Sequence, residues 1–264
     1  FRSVHAQLGG SFRLFVSAGA FLPPALQQAW EDLGVTVLQG YGATETGTGT
    51  CTTLDDHGLG TVGRPPEGIS LRIGDDGEVQ FKGPTLFHGY WKRPDLTAEA
   101  FSPDGWYRTG DIGHIDAAGR LILSGRKKDI IVLPNGFNVY PEDIENALRV
   151  AGIRDSVVLE TSPGRIEAIV LPPGTHGLPQ GGDAPGPAPG DPPGEQTDDP
   201  DAVRVRIDAA VRAANATLGP NQRIAGWRLW PERDFPRTHT LKVKRPQVRA
   251  WAGAGAPLPV SDAR

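Results

Sequence analysis

The chain has 264 residues, of which 38% are hydrophobic and 22% charged, and its formal net charge is -4 at pH 7. This composition is typical of a folded globular protein, and the small negative charge argues against nucleic acid as a partner. No apolar run could span a bilayer and no signal peptide is recognisable, so we expect a cytoplasmic protein without a transmembrane segment. Because the chain starts with Phe1 and contains no methionine, we also expect it to be a piece of a longer protein.

The N-terminal region predicts a β-α-β unit. Arg13–Ser17 and Val35–Gln39 are short runs typical of strands. Between them, residues 23–33 open with two prolines and continue with helical apolar spacing. We therefore expect two strands joined by a helix.

The middle of the chain predicts antiparallel β structure. Strand-like runs alternate there with Gly-containing turns, which is the pattern of β-hairpins. The two predicted hairpins are 69–73 with 78–82, and 112–116 with 120–124.

A second unit is expected after Lys128, which gives domains of 1–128 and 129–264. Its predicted elements are a helix at 141–149, strands at 156–160 and 166–171, and a helix at 202–218. Within it, residues 172–201 are rich in Pro and Gly, acidic and free of Lys and Arg. Such a segment buries too little to fold, so we predict a disordered insertion.

Gly40–Gly47 reads GYGATETG and follows a predicted strand. Glycines such as Gly42 let the backbone approach a ligand closely, Thr44 offers a hydroxyl, and Glu45 offers an oxygen ligand that suits Mg²⁺. A tight turn without a ligand is the alternative interpretation.

Two further segments carry candidate ligand-binding charges. Asp111, between glycines in GWYRTGDIG, could accept hydrogen bonds from ribose hydroxyls, or could cap its own turn. In Gly125–Asp129, Arg126 could bind ribose or phosphate, and a backbone rotation at Lys128 would move everything after it. A solvated basic linker is the alternative there.

Phe235–Arg249 is a basic tail in which Lys242 lies between Leu241 and Val243. An ammonium in a dry cleft can neutralise charge that develops at a phosphate and a carboxylate, although most lone lysines are surface residues. The histidines show no metal-ligand spacing.

Taken in order, five segments resemble the core motifs of the adenylate-forming (AMP-binding) superfamily, which includes acyl-CoA synthetases, peptide-synthetase adenylation domains and luciferases. They are SAGAFLP, YGATETG, GWYRTGDIG, GRKKDIIVLPNGFNVYPEDIE and PRTHTLKVKR, and the resemblance runs from about Arg13 to Arg249. The fourth segment is similar to fatty acyl-CoA ligases in particular.

The resemblance implies an α/β and α+β fold: the C-terminal part of the large adenylate-forming domain, followed by a small α+β lid domain. It implies ATP-dependent activation of a carboxylic acid, in particular a fatty acid, to an acyl-adenylate, followed by thioester formation with coenzyme A. ATP, Mg²⁺ and coenzyme A are the expected small molecules. Transfer to a carrier protein, or a non-catalytic remnant that binds nucleotide, are the alternatives.

The resemblance also implies a role for each matching residue. For the nucleotide, these are Gly19 and Ala20 along the adenine pocket, Tyr41 at the base, Gly42 as a further residue that binds the nucleotide, Thr44 and Glu45 at phosphate and Mg²⁺, and Asp111 and Arg126 at the ribose. For the later steps, these are Lys128 as the hinge, Lys242 as the adenylation lysine, and the loop at Gly136 as the segment that turns toward coenzyme A.

The chain departs from the family pattern in two respects. The family's phosphate-binding loop would lie upstream of Phe1. Many members have Gly immediately before the adenylation lysine, whereas this chain has Leu241, so the local turn is expected to differ.

Overall fold

The computed structural model describes residues 2–172, 199–238 and 241–253. The chain forms two compact units that divide between Asp129 and Ile130, whereas the sequence placed the boundary after Lys128. Most of the predicted insertion, residues 173–198, lies outside the described residues.

The first unit opens with a β-α-β arrangement. Its elements are α1 (Arg2–Gln7), β1 (Leu14–Ala18), α2 (Pro24–Asp32) and β2 (Thr36–Ala43). Strands β1 and β2 are parallel, with Leu14 opposite Thr36 and Ala18 opposite Gly40. The predicted β-α-β unit is therefore confirmed.

Strand β2 continues beyond its predicted end at Gln39, and a hairpin follows it. Strand β3 (Gly47–Cys51) pairs antiparallel with β2. A Cβ atom at Gly42 would lie 1.9 Å from the carbonyl oxygen of Gly47, so the close backbone packing of the hairpin requires glycine there. The segment predicted to follow the strand thus begins within β2, and residues 44–46 form the turn of the hairpin.

A four-stranded antiparallel sheet completes the first unit. The strands lie in chain order and are β4 (Ser70–Ile73), β5 (Glu78–Lys82), β6 (Tyr107–Ile115) and β7 (Leu121–Arg126), with α3 (Pro94–Ala100) before β6. Both predicted hairpins are confirmed, although β6 starts earlier than expected. Val79, Phe81 and Leu121 form the fully buried centre of its core.

The register of the β6–β7 pair shifts by one residue. Gly113 lies opposite Leu123, whereas Ile112 lies opposite Gly125, so Ser124 has no partner across the strands. Such an extra residue is a β-bulge.

Close backbone packing also fixes Gly63, in the segment after β3. Its φ is +80°, and a Cβ atom there would lie 2.0 Å from the carbonyl oxygen of Cys51. Gly68 has a similar φ of +84°, but a Cβ atom at that position would meet nothing within 4 Å.

The second unit contains a small hairpin and a three-stranded sheet with helices. The elements are β8 (Ile131–Val132), β9 (Asn138–Val139), α4 (Pro141–Val150), β10 (Ser156–Ser162), β11 (Arg165–Val170), α5 (Pro200–Thr217), β12 (Gly226–Leu229) and α6 (Arg245–Gly253). Helix α5 begins at Pro200, so the predicted C-terminal limit of the 172–201 insertion was two residues too late. Neither β12 nor α6 was predicted from the sequence.

The sheet of the second unit buries apolar side chains on both faces. Val158 and Ala168 pack with helices α4 and α5, whereas the alternate residues Val157 and Ile169 pack with α6. Alternation of this kind follows from the period of two in a strand. The expected α/β and α+β fold class is confirmed.

Candidate active site

Asp111 and Arg126 form a cross-strand ion pair in the first unit. They lie directly opposite each other on β6 and β7, and the Nε of Arg126 lies 2.7 Å from Oδ1 of Asp111. Asp111 is buried, whereas 42% of the Arg126 side chain remains exposed. The β-bulge at Ser124 brings Arg126, and not Gly125, opposite this carboxylate.

Tyr41 joins this pair from β2. Its hydroxyl donates a hydrogen bond to Oδ2 of Asp111, and its ring lies 6.0 Å from that of Phe81 in the core. Burial, followed by the neighbouring Asp111 carboxylate, raises the pKa of the Tyr41 hydroxyl above its ordinary range. The phenol therefore remains a hydrogen-bond donor at all physiological pH values.

Gly19 and Ala20 follow β1 at the same edge of the parallel pair. Ala18 and Gly40 are the last residues at which β1 and β2 pair. The residues that follow them, Gly19 and Tyr41, therefore lie at the same end of this strand pair. Gly19 has a φ of +81°, and both residues of the turn are exposed. The adenine-pocket candidates are therefore near Tyr41 along the sheet edge.

Thr44 and Glu45 lie in the turn between β2 and β3. Thr44 is exposed. Glu45 is half-buried, and its Oε1 accepts a hydrogen bond from the hydroxyl of Tyr90 at 2.8 Å. The buried Thr46 shapes the turn, because its Oγ1 accepts a hydrogen bond from the N–H of Ala43 at 2.8 Å. Neither Tyr90 nor Thr46 was predicted from the sequence, in which a Thr at the third turn position was the one available signal.

The three consecutive cations at the end of the first unit have different surroundings. Arg126 pairs with Asp111, whereas the Nζ of Lys127 lies 2.5 Å from Asp76 and 3.5 Å from the buried Glu78. Lys128 is exposed in a single turn of 3-10 helix, Lys127–Asp129. Two of the three cations are thus held in ion pairs, which disagrees with a fully solvated linker.

In the second unit, Gly136 lies at the tip of the β8–β9 hairpin. Its φ is +80°, and its N–H donates to the carbonyl of Leu133 at 2.8 Å. The turn is exposed, and its Pro-Asn-Gly sequence is typical of turns.

Lys242 is exposed, and its backbone is hydrogen-bonded to Thr238. The N–H of Thr238 donates to the carbonyl of Lys242 at 2.8 Å, and the N–H of Lys242 donates to Oγ1 of Thr238 at 3.1 Å. Leu241, which precedes it, has a φ of +63°. Leu241 thus adopts the left-handed conformation that favours glycine, although it carries a side chain.

A bidentate ion pair holds the residues that follow Lys242. Arg245, the first residue of α6, places Nη2 2.6 Å from both carboxylate oxygens of Glu145 on α4. The Val158 N–H on β10 donates to the same carboxylate at 2.8 Å. Burial raises the pKa of Glu145 to about 7, against the opposing effect of Arg245. The sequence analysis did not identify this pair, because its members are 100 residues apart.

Glu45 is the one candidate metal ligand named from the sequence. Among the described residues, no group of three or more His, Cys, Asp or Glu side chains could hold a metal ion. Mg²⁺ in phosphate-transfer sites is commonly bound by one or two carboxylates together with substrate phosphates. A single half-buried glutamate therefore fits a Mg²⁺ that enters with a nucleotide.

None of the helices in the described ranges is long and apolar enough to cross a membrane.

Comparison with known proteins gives consistent matches. Residues 2–91 match the model of a family described as AMP-binding enzyme. Over 257 residues the chain is 39% identical to the long-chain-fatty-acid–CoA ligase FadD15 of Mycobacterium bovis, covering 94% of this chain and 42% of that protein. Over 195 residues it is 33% identical to the chloroplastic long-chain-fatty-acid–[acyl-carrier-protein] ligase AEE15 of Arabidopsis thaliana, covering 65% of this chain and 27% of that protein.

Solved structures agree with these sequence matches. The crystal structure of ATP-bound MatB from Rhodopseudomonas palustris superposes with a TM-score of 0.70 at 27% identity, covering 94% of this chain and 47% of that one. The chain thus spans less than half the length of these relatives.

Proposed function

Because the chain belongs to the AMP-binding, adenylate-forming enzymes, we propose that its protein activates a carboxylic acid with ATP and transfers the acyl group to coenzyme A. The substrate proposed is a fatty acid, which is supported by the similarity to FadD15, a ligase named for long-chain fatty acids.

The convergence of Tyr41, Asp111 and Arg126 is the observation that carries this proposal. These residues come from three separate motifs, and the structure brings them together through one ion pair and one hydrogen bond. A carboxylate with an adjacent guanidinium suits the hydroxyls of a ribose, and an aromatic ring beside them suits a base. The three side chains therefore offer the groups that an adenosine needs.

In the first half-reaction, a carboxylate oxygen of the acid attacks the α-phosphorus of ATP. A new O–P bond forms, the bond from the α-phosphorus to the bridging oxygen breaks, and pyrophosphate leaves with both bonding electrons. Positioning and charge stabilisation dominate the barrier of such phosphoryl chemistry. Lys242 would supply a positive charge to the reacting groups, and Thr44 a hydroxyl to the phosphates.

Mg²⁺ bound to the ATP phosphates would offset their negative charge during this step. Glu45 would hold it, since its carboxylate is half-buried in the β2–β3 turn. The ribose would be oriented by Asp111 and Arg126, and the adenine by Tyr41, Gly42 and the turn at Gly19 and Ala20.

In the second half-reaction, the sulfur of coenzyme A attacks the acyl carbonyl of the adenylate. The C–S bond forms, the C–O bond to the phosphate breaks, AMP leaves, and the thiol proton passes to solvent. The exposed turn at Gly136 would approach the thiol after a backbone rotation at Lys128, the last residue but one of the first unit.

An acyl carrier protein is the alternative acceptor, because AEE15 is named as a ligase for that partner. The two acceptors are separated by supplying either coenzyme A or a phosphopantetheinylated carrier protein to the enzyme and measuring AMP release. The carrier alternative requires faster release with the carrier protein.

The test is pyrophosphate exchange into ATP by the protein expressed from its complete gene, with a panel of fatty acids. We expect exchange that depends on a fatty acid; no exchange with any carboxylic acid would contradict the proposal.

Arg126→Lys should weaken AMP binding about 10-fold, because lysine cannot reproduce the planar fork of the guanidinium group. Arg72→Lys is the matched control, since Arg72, on the outer strand β4, forms a bidentate pair with Asp104.

A further inference from the structure

We propose that Tyr90 is a positioning residue that orients the Glu45 carboxylate toward the metal of a bound nucleotide. The inference rests on the proposed function, because it takes Glu45 as the Mg²⁺ ligand. It adds a residue from outside the β2–β3 hairpin, and so assigns a binding role to the segment that follows β5.

Glu45 is held by this segment at two points. The hydroxyl of Tyr90 donates to Oε1 of Glu45 at 2.8 Å, and the N–H of Phe87 donates to the Glu45 carbonyl at 2.8 Å. Main chain and side chain are thus fixed by residues three apart. Within the described part of the chain, Oε2 of Glu45 makes no hydrogen bond, and it is available to a cation.

Aromatic packing makes this support rigid. The ring of Phe87 lies 4.8 Å from that of Tyr90 and 5.5 Å from those of Phe101 and Tyr107. The last of these rings belongs to β6, the strand that carries Asp111. Tyr90 therefore packs, through Phe87, against the same sheet that carries the proposed ribose site.

The main chain of Tyr90 is also constrained. Its N–H donates to Oγ1 of Thr97 on α3 at 2.9 Å. A Cβ atom at the preceding Gly89 would lie 2.8 Å from the Thr97 side chain, so only glycine permits this approach. Lys92, two residues after Tyr90, has a φ of +54°. Strained backbone of this kind is concentrated at functional sites.

The chemistry of the contact suits a positioning role. The hydroxyl of a tyrosine is protonated at neutral pH, so Tyr90 acts as the hydrogen-bond donor to the Glu45 carboxylate. A phenol that donates to one carboxylate oxygen fixes the rotation of the carboxylate and leaves the second oxygen to the metal. Loss of such an outer partner typically lowers metal affinity about 10- to 100-fold.

The test uses Tyr90→Phe in the protein from its complete gene, with Trp91→Phe as the control. Trp91 is the next residue, is 87% exposed, and forms no hydrogen bond with Glu45 among the described residues. Binding of α,β-methylene-ATP is measured by calorimetry in EDTA and across a Mg²⁺ titration. We expect Tyr90→Phe to need about 10-fold more Mg²⁺ for half-maximal affinity, with unchanged affinity in EDTA, while Trp91→Phe behaves as wild type.

A cycle with Glu45→Gln identifies the route of the effect. If Tyr90 acts through Glu45, the phenylalanine substitution should have no further effect once the carboxylate is gone. Normal Mg²⁺ dependence in Tyr90→Phe, or an equal loss of affinity in EDTA, would overturn the inference while leaving the proposed function intact. A wild-type protein without Mg²⁺-dependent binding would instead count against Glu45 and the proposed function.

Discussion

Substitution of Leu241 by glycine and by alanine tests the conformation of the turn before Lys242. The φ of Leu241 is +63°, where a Cβ atom crowds the following carbonyl and costs about 1–2 kcal/mol. Leu241 is 58% exposed, so both variants lose the same modest amount of side-chain burial. The difference between glycine and alanine therefore reports mainly on backbone terms and little on packing.

The expected difference follows from two opposing terms. Alanine retains the strain of about 1–2 kcal/mol, whereas glycine removes it but increases the entropy of the unfolded chain, which costs about 0.5–1 kcal/mol. We expect Leu241→Gly to be more stable than Leu241→Ala by about 0.5–1 kcal/mol, or about 2–5 °C in Tm. At an ordinary exposed position the order is reversed.

Native-state hydrogen exchange of the most protected amides in the second unit measures its free energy of unfolding separately from that of the first unit. Differential scanning calorimetry supplies the Tm. Gln247, exposed within α6, provides the control pair, and there alanine should be the more stable variant. An alanine variant at 241 as stable as the glycine variant would refute the reasoning.

Three further predictions concern the other residues described above. Lys242→Ala should lower pyrophosphate exchange about 100-fold or more, because it removes charge stabilisation, while thioester formation from supplied acyl-adenylate is largely retained. Arg245→Met should destabilise the protein by about 1–1.5 kcal/mol more at pH 8 than at pH 5. The reason is that the pKa of Glu145, already raised to about 7, rises further without its partner, so the folded protein disfavours ionisation that the unfolded chain permits above pH 4.5. Gly63→Ala should destabilise the protein by about 2–3 kcal/mol more than Gly68→Ala, as measured by denaturant unfolding, because only the first substitution places a Cβ atom against the backbone of β3.

Each of these has an outcome that would count against it. Equal loss of both half-reactions in Lys242→Ala would contradict its assignment to adenylation. An effect of Arg245→Met that is the same at pH 5 and pH 8 would mean that the protonation of Glu145 does not change between these two pH values. Similar stability of the two glycine variants would show that the backbone near Gly63 can move aside, since left-handed strain is common to both.

Local pattern was sufficient to predict much of the first unit. Paired prolines marked the start of α2, and Asp-Gly and Ala-Gly turns marked the two hairpins, because these signals act within a few residues. Strand β3 was missed because its sequence, GTGTC, has little of the apolar alternation expected of a strand. Its stability comes from pairing with β2, which a local pattern does not reveal.

Contacts between distant residues explain what the sequence did not reveal at the site. Motif order named Tyr41, Asp111 and Arg126 separately, but their meeting depends on a β-bulge and on the packing of β2 against another sheet. Tyr90 was not predicted because its partner, Glu45, lies 45 residues away. The roles of the site residues stay predictions until binding and kinetics are measured.

The extra residue at Ser124 changes what one face of β7 can do. Leu121 and Leu123 lie on the core side of that strand, and strict alternation would continue this side with Gly125. Because of the bulge, Arg126 lies on that side instead. The same face of β7 is therefore apolar at Leu121 and Leu123, which pack in the core, and charged at Arg126, which pairs with Asp111. Substitutions a few residues apart on this strand should therefore separate cleanly into those that alter stability and those that alter affinity.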